Sequence, residues 1–276
     1  MSSLLKIKDL HVSVKGTPIL NGIDLEVGEG ETLALLGPNG HGKSTLLGAI
    51  MGNPIYEVTS GTIEFDGIDL LSLPVDERSK SGLFLAMQYP AEIPGVNASD
   101  FLKAAINAHR DAPIKLFEFY NKLQKAYEAV GIPFEMNNRN LNEGFSGGEK
   151  KRSEMLQMLL LEPKLAMLDE IDSGLDVDAM QTVSEVIRQE QAKGRSFLVV
   201  SHYARLYSMI SPTKAAVIVN GKVAVSGGPE LIKRIDSEGY EWIKRELGIE
   251  IAKPSKGMNE VSIGVCATRV ASKEGK

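Results

Sequence analysis

Residues Gly37 to Thr45 read GPNGHGKST, the spacing G-x-x-x-x-G-K-[ST]. Glycines 37, 40 and 42 leave the backbone bare, so its amides can curl around phosphate oxygens at the positive end of a following helix. Lys43 is placed to meet β- and γ-phosphates, Ser44 to offer its hydroxyl to Mg²⁺, and Thr45 to support an α-phosphate. The expected nucleotide-binding run is therefore Gly37, Pro38, Asn39, Gly40, His41, Gly42, Lys43, Ser44 and Thr45. A glycine-rich turn without a ligand is the competing reading. It is disfavoured because the full motif stands between an apolar run and a helical pattern.

Two further motifs extend this chemistry. LAMLDE (Leu165 to Glu170) ends an apolar run in two carboxylates. At the carboxyl end of a parallel strand, Asp169 can hold Mg²⁺ through water, and Glu170 can orient or deprotonate an attacking water. GFSGGEKKR (Gly144 to Arg152) places Ser146, Gly147, Gly148 and Glu149 at the start of a helical pattern that continues through Met155, Leu156, Leu159 and Leu160. A small hydroxyl, bare amides and a helix dipole make a second phosphate site in one chain. Alone, such a run would be an N-cap and a turn. Gln88 and His202 are single polar residues at the ends of apolar runs, where local satisfaction is as common as chemistry.

These residues need a scaffold, and the pattern of apolar residues supplies one. Leu10, Val12 and Val14, then Ile23, Leu25 and Val27, alternate with polar residues, which predicts a half-buried antiparallel pair. LALLG, LFLAMQ, LAMLDE and FLVVSH are short continuous apolar runs, the signature of parallel strands buried on both faces. Val177 to Lys193 has helical spacing and stops at Gly194, and AAVIV and KVAVSG flank an Asn220-Gly221 hairpin turn. From 96 to 143 the strand runs give way to helical segments broken at Pro113 and Pro133. The predicted organisation is an α/β core over 1–95 and 144–250, a helical insertion over 96–143, and a loosely ordered tail over 251–276.

Composition narrows the function classes. The 276 residues are 43% hydrophobic and 24% charged, which excludes disorder and fibrous proteins. A net charge of −5 gives no general attraction to nucleic acid. One cysteine, Cys266, excludes an internal disulfide and a CxxC metal site, in keeping with a reducing compartment. No run approaches 18 apolar residues and the N-terminus lacks signal-peptide character, so a cytoplasmic protein is expected.

The order of phosphate loop, Gln88, SGG, LAMLDE, SGLD (Ser173 to Asp176) and His202 resembles the ATP-binding cassette (ABC) ATPases, over Leu5 to Val225. The resemblance implies an ABC-type P-loop fold: a mostly parallel core sheet, an antiparallel N-terminal β layer and a helical subdomain. It implies Mg-dependent hydrolysis of ATP, with Glu170, His202 and Gln88 as catalytic residues. Ser44, Gln88 and Asp169 would serve Mg²⁺, and His202 would sense the γ-phosphate. It also implies an ATP-dependent head-to-tail dimer, in which Ser146, Gly147, Gly148 and Glu149 of one subunit complete the ATP site of the other.

Four longer stretches, EVTSGTIEFDGIDLL, MQYPAEIPGV, NEGFSGGEKKR and LDEIDSGLDVDA, are similar to the ATPases of the SUF iron–sulfur cluster assembly system, to Leu247. General transporter cassettes read SGGQ and SALD where this chain reads SGGE and SGLD. This narrower resemblance implies soluble SufB- and SufD-like scaffold partners, with no nucleic acid and no membrane insertion. The cluster would form on the partners, since no cysteine cluster is present here. The segment that often supplies an adenine-stacking ring reads HVSVKGT, without an aromatic, which implies weaker base selectivity. The alternatives are the ATP-binding subunit of a membrane ABC transporter and an ATP-gated clamp on nucleic acid. The net acidity and the short spacing from phosphate loop to signature disfavour the clamp.

Overall fold

The computed structural model describes residues 3–252. The tail from 253 onward, Cys266 included, lies outside the described residues.

Strand β1 (Ser3–Val14) pairs with β2 (Thr17–Gly28), as its alternation predicts. In β2 the side chains of Ile23, Leu25 and Val27 are buried while Asp24 and Glu26 are exposed. Strands β4 (Glu57–Phe65) and β5 (Ile68–Asp69) extend the layer into an antiparallel sheet of order β2-β1-β4-β5.

The apolar runs form the second sheet. They are β3 (Thr32–Leu36), β6 (Leu83–Ala86), β9 (Leu165–Asp169) and β10 (Ser196–Val200), joined by the hairpin β11 (Lys214–Val219) and β12 (Lys222–Gly227). The order is β12-β11-β3-β10-β9-β6, parallel except at β12. Successive residues bury on opposite faces. Ala34, Leu36, Phe197 and Val199 join the core under the helices, while Leu33, Leu35, Leu198 and Val200 join the core under the antiparallel layer. Two-sided burial is why these strands show no polar alternation.

Helix α1 (Lys43–Met51) follows β3 and packs between the two sheets, and α2 (Val75–Lys80) precedes β6. In the 96–143 stretch, α3 (Ala98–Ala108) and α4 (Leu116–Ala129) account for the helical spacing, with Pro113 between them. A short antiparallel pair, β7 (Ile93–Asn97) and β8 (Asn140–Leu141), joins the two ends of that stretch. Helices α5 (Gly147–Leu161), α6 (Val177–Ala192) and α7 (Ala204–Ile210) cover the parallel sheet. Two further helices, not singled out from the sequence, are α8 (Glu230–Glu238) and α9 (Glu241–Leu247), which bury Leu231, Ile232, Trp242 and Ile243 in the same core.

Parallel register brings four strand ends to one edge. Val200 pairs with Asp169 and with Leu35, and Ala86 pairs with Leu168. The segments beginning at Gly37, Met87, Glu170 and Ser201 therefore leave the sheet side by side, where ligands of open α/β sheets bind.

Candidate functional site

The phosphate loop is built around positions that only glycine fits. Gly37 has φ 145° and lies so close to β11 that a Cβ would stand 2.2 Å from the Ile218 carbonyl oxygen. Gly42, at φ 105°, would drive a Cβ to 2.5 Å from a Leu20 methyl. The Lys43 ammonium lies inside the loop, donating to the carbonyls of Gly37 at 2.7 Å and Pro38 at 3.1 Å. Burial pulls its pKa below the usual lysine value, while Glu170 and Asp169 act to raise it. His41 is turned differently from its neighbours. Its ring is buried and its Nδ1 accepts the Asn220 N–H at 2.9 Å, so only its backbone is left to face a ligand.

Asp169 ends β9 in a buried position. Burial raises its pKa to about 6, and the adjacent Ser44 hydroxyl works against that rise. Its Oδ1 has no hydrogen-bond partner. A hydroxyl beside a carboxylate with an unspent oxygen is the donor set a hard divalent cation takes, so these residues fit Mg²⁺.

Glu170, the next residue, leaves the strand at φ 48°, a left-handed conformation that costs a non-glycine residue about 1–2 kcal/mol. Its N–H still bonds the Val200 carbonyl at 3.0 Å. The turn swings its carboxylate between two partners. Gln88 donates to Oε2 at 2.6 Å, and His202 Nε2 meets Oε1 at 3.0 Å. The His202 hydrogen bond, aided by Gln88 and the charge of Lys43, holds Glu170 below the usual carboxylate range, so it is ionised at neutral pH. Two polar residues from two other strand ends thus meet at the Glu170 carboxylate.

The Ser146 run does not join them. Ser146 caps α5, its hydroxyl accepting the Glu149 N–H at 3.2 Å while the Glu149 carboxylate accepts the Ser146 N–H at 2.7 Å. This reciprocal box also holds Glu149 below its ordinary pKa. Ser146 and Gly147 are exposed, and a Cβ on Gly147 would meet nothing within 4 Å. Among the described residues no hydrogen bond links Ser146, Gly147 or Gly148 to the phosphate loop. The local N-cap and the outward-facing amides coexist in the same residues.

Further along α5 are two buried charges that the sequence reading did not single out. Lys151 donates to the Met87 carbonyl at 2.9 Å and lies 3.5 Å from the Asp169 carbonyl. Glu154 accepts the Met87 N–H at 2.8 Å, and burial pushes its pKa to about 7. The signal was present in KKRSEM: Lys151 and Glu154 are three apart and share a helix face with Met155 and Met158. Asp172, also buried, accepts the Ser201 hydroxyl and is raised by burial. Several large apolar side chains are exposed: Tyr89, the residue after Gln88, at 75%, Ile93 and Val96 on β7, and Leu116, Phe117 and Tyr120 on α4.

Comparison with known proteins defines the class. The family model described as "ABC transporter" matches residues 20–173, and the chain belongs to that family. It is 53% identical over 251 residues to Vegetative protein 296 of Bacillus subtilis (strain 168), covering 90% of this chain and 96% of that protein. It is 44% identical over 247 residues to the probable ATP-dependent transporter SufC of Escherichia coli (strain K12), covering 88% of this chain and all of that protein. A solved dimeric ATP-binding cassette, in a post-hydrolysis state bound to ADP and Pi, shares the fold with a TM-score of 0.72 at 20% identity. It covers 81% of this chain and 98% of that one. The chain is thus a SufC-like ABC ATPase, and its reaction is hydrolysis of ATP. Among the described residues, no helix is long and apolar enough to cross a membrane.

Proposed function

We propose that this chain is the cytoplasmic ATPase of a scaffold complex that assembles iron–sulfur clusters, with SufB- and SufD-like partners. The observation that carries this reading is the likeness to SufC over that protein's whole length, together with the SGGE and SGLD motifs that set the SUF ATPases apart from general transporter cassettes. The runner-up is the ATP-binding subunit of a membrane transporter. It is favoured by relatives such as a probable ABC transporter ATP-binding protein of Streptococcus pyogenes serotype M18, which is 49% identical over 255 residues.

In this reading Lys43 and the loop amides hold the β- and γ-phosphates. Ser44, Asp169 and Gln88 would hold Mg²⁺, which would neutralise phosphate charge. Glu170, ionised and oriented by Gln88 and His202, takes the proton of the attacking water, and His202 stands ready to contact the γ-phosphate. The outward-facing Ser146, Gly147 and Gly148 complete the ATP site of a second copy in a head-to-tail dimer, with Glu149 holding the serine in place. The exposed apolar residues after Gln88 and on α4 receive the scaffold, and Tyr89, beside Gln88 in the chain, links docking to the water-orienting glutamine.

The test is purification of the tagged chain from detergent-treated native cells. Soluble scaffold subunits should co-purify, and Phe117→Ser should lose them while free-subunit ATPase activity stays within about twofold. Recovery of an integral membrane protein instead would overturn the scaffold reading.

A further inference from the structure

The C-terminal part of the chain reaches back and holds the phosphate loop at two points. The first is the loop's opening residue. The Gly37 N–H donates to the hydroxyl of Tyr240, the residue before α9, at 3.0 Å across 203 positions of sequence. That amide is therefore spent on Tyr240, and the loop is pinned where it leaves β3. The second is His41. Its Nδ1 accepts the Asn220 N–H at 2.9 Å and its carbonyl accepts the Gly221 N–H at 3.2 Å. With Nδ1 accepting, the ring proton sits on Nε2.

The β11–β12 turn that grips His41 is itself anchored. Gly221 packs so closely that a Cβ would lie 2.0 Å from the Ile19 carbonyl oxygen, and Asn21 donates its side-chain amide to the Asn220 carbonyl at 3.0 Å. The Asn220 side chain donates to the Glu250 carbonyl at 2.6 Å and accepts the Ala252 N–H at 3.0 Å. Residues 220 to 252 thus form a brace whose contacts converge on the loop. Tyr240 and Asn220 both lie beyond the residues that the family model matches.

Phosphate-binding amides are effective to the extent that they are held in place before the ligand arrives. A flexible glycine loop supplies little of that rigidity by itself. We infer that Tyr240 and His41 are positioning residues for the nucleotide, fixing the two ends of the Gly37–Gly42 loop to the C-terminal segment, so that this segment sets nucleotide affinity. The inference rests on ATP binding at this loop, which Lys43→Ala checks separately.

The experiment compares equilibrium binding of ADP with steady-state ATPase kinetics in the full chain. Tyr240→Phe keeps the ring and its packing and removes only the hydroxyl. The dissociation constant for ADP and the KM for ATP should each rise about fivefold, the loss of one partly buried hydrogen bond, with kcat changed less than KM. His41→Leu should act in the same direction. His41→Asn, whose side-chain oxygen can accept the Asn220 N–H, should recover most of the affinity. A merely structural role would lower the melting temperature and the active fraction and leave the KM of the folded protein where it was. Unchanged ADP affinity in folded Tyr240→Phe, or His41→Asn binding as weakly as His41→Leu, would overturn the inference. If Lys43→Ala binds ADP like the parent, the phosphate-loop reading itself is at fault.

Discussion

Asp169, proposed to hold Mg²⁺, illustrates what a buried carboxylate costs the fold. It is buried, one oxygen has no partner, and its pKa of about 6 stands above the ordinary 3.8. The folded protein therefore holds this proton more tightly than the unfolded chain does. Stability contributed by the protonated form is complete below pH 3.8 and is lost as pH rises through about 6, leaving a penalty at neutral pH. Asp169→Asn should remove that penalty. Without nucleotide or metal, the variant should gain about 1–3 kcal/mol at pH 8 and distinctly less at pH 5, and it should lose hydrolysis. Urea unfolding at the two pH values measures this, and an equal gain at both would assign the penalty to something other than the Asp169 proton. Glu170 represents a different cost: a left-handed backbone that lets one carboxylate reach Gln88 and His202 together.

Helix α5 does two jobs with one rigid body. Its first turn presents Ser146, Gly147 and Gly148 to the outside, and its second grips the peptide of Met87 from both sides, Lys151 on the carbonyl and Glu154 on the N–H. Met87 precedes Gln88, so a shift of α5 moves the glutamine that bonds Glu170. Glu154→Leu leaves the partly buried Met87 N–H without its acceptor, a loss of about 1–3 kcal/mol. If that loss is expressed in the placement of Gln88, kcat should fall about tenfold while the KM for ATP changes far less. Glu154→Gln, which keeps an acceptor, should retain most of the activity. Steady-state kinetics on the two folded variants decides the matter, and a parental kcat in Glu154→Leu would exclude a role for this grip.

In the proposed head-to-tail pair, each subunit would give one phosphate loop and one signature, making two composite sites. Hydrolysis should then depend on encounter, and a scaffold that tethers two copies should accelerate it by raising their effective concentration. Mixing Ser146→Arg with Lys43→Ala protein gives dimers in which one site has an intact loop facing an intact signature while the other carries both defects. Each variant alone should be inactive, and mixing them should restore part of the parent rate. A rate independent of concentration, in protein shown by light scattering to stay monomeric, would reject the shared site.

Short-range signals in the sequence determined the glycine-rich turn from Gly37 to Gly42, Asp169 at the end of β9 with Glu170 after it, the apolar runs of the parallel strands and the Asn220-Gly221 turn. Each is written within a few neighbouring residues: Gly37 as a glycine at φ 145°, a backbone that L side chains rarely adopt, and β10 as a continuous apolar run. Only the tertiary structure decided that Gln88 and Glu170, 82 residues apart, share a hydrogen bond, and that Glu170 must turn left-handed to make it. The same holds for Lys151 and Glu154, which read in sequence as ordinary helix charges until Met87 is packed against them. It holds most plainly for Tyr240, since no local pattern ties a C-terminal tyrosine to the first amide of a loop 203 residues earlier. Strand order and register bring such groups within hydrogen-bonding distance, and those are settled by cooperative packing of the whole core rather than by any one segment.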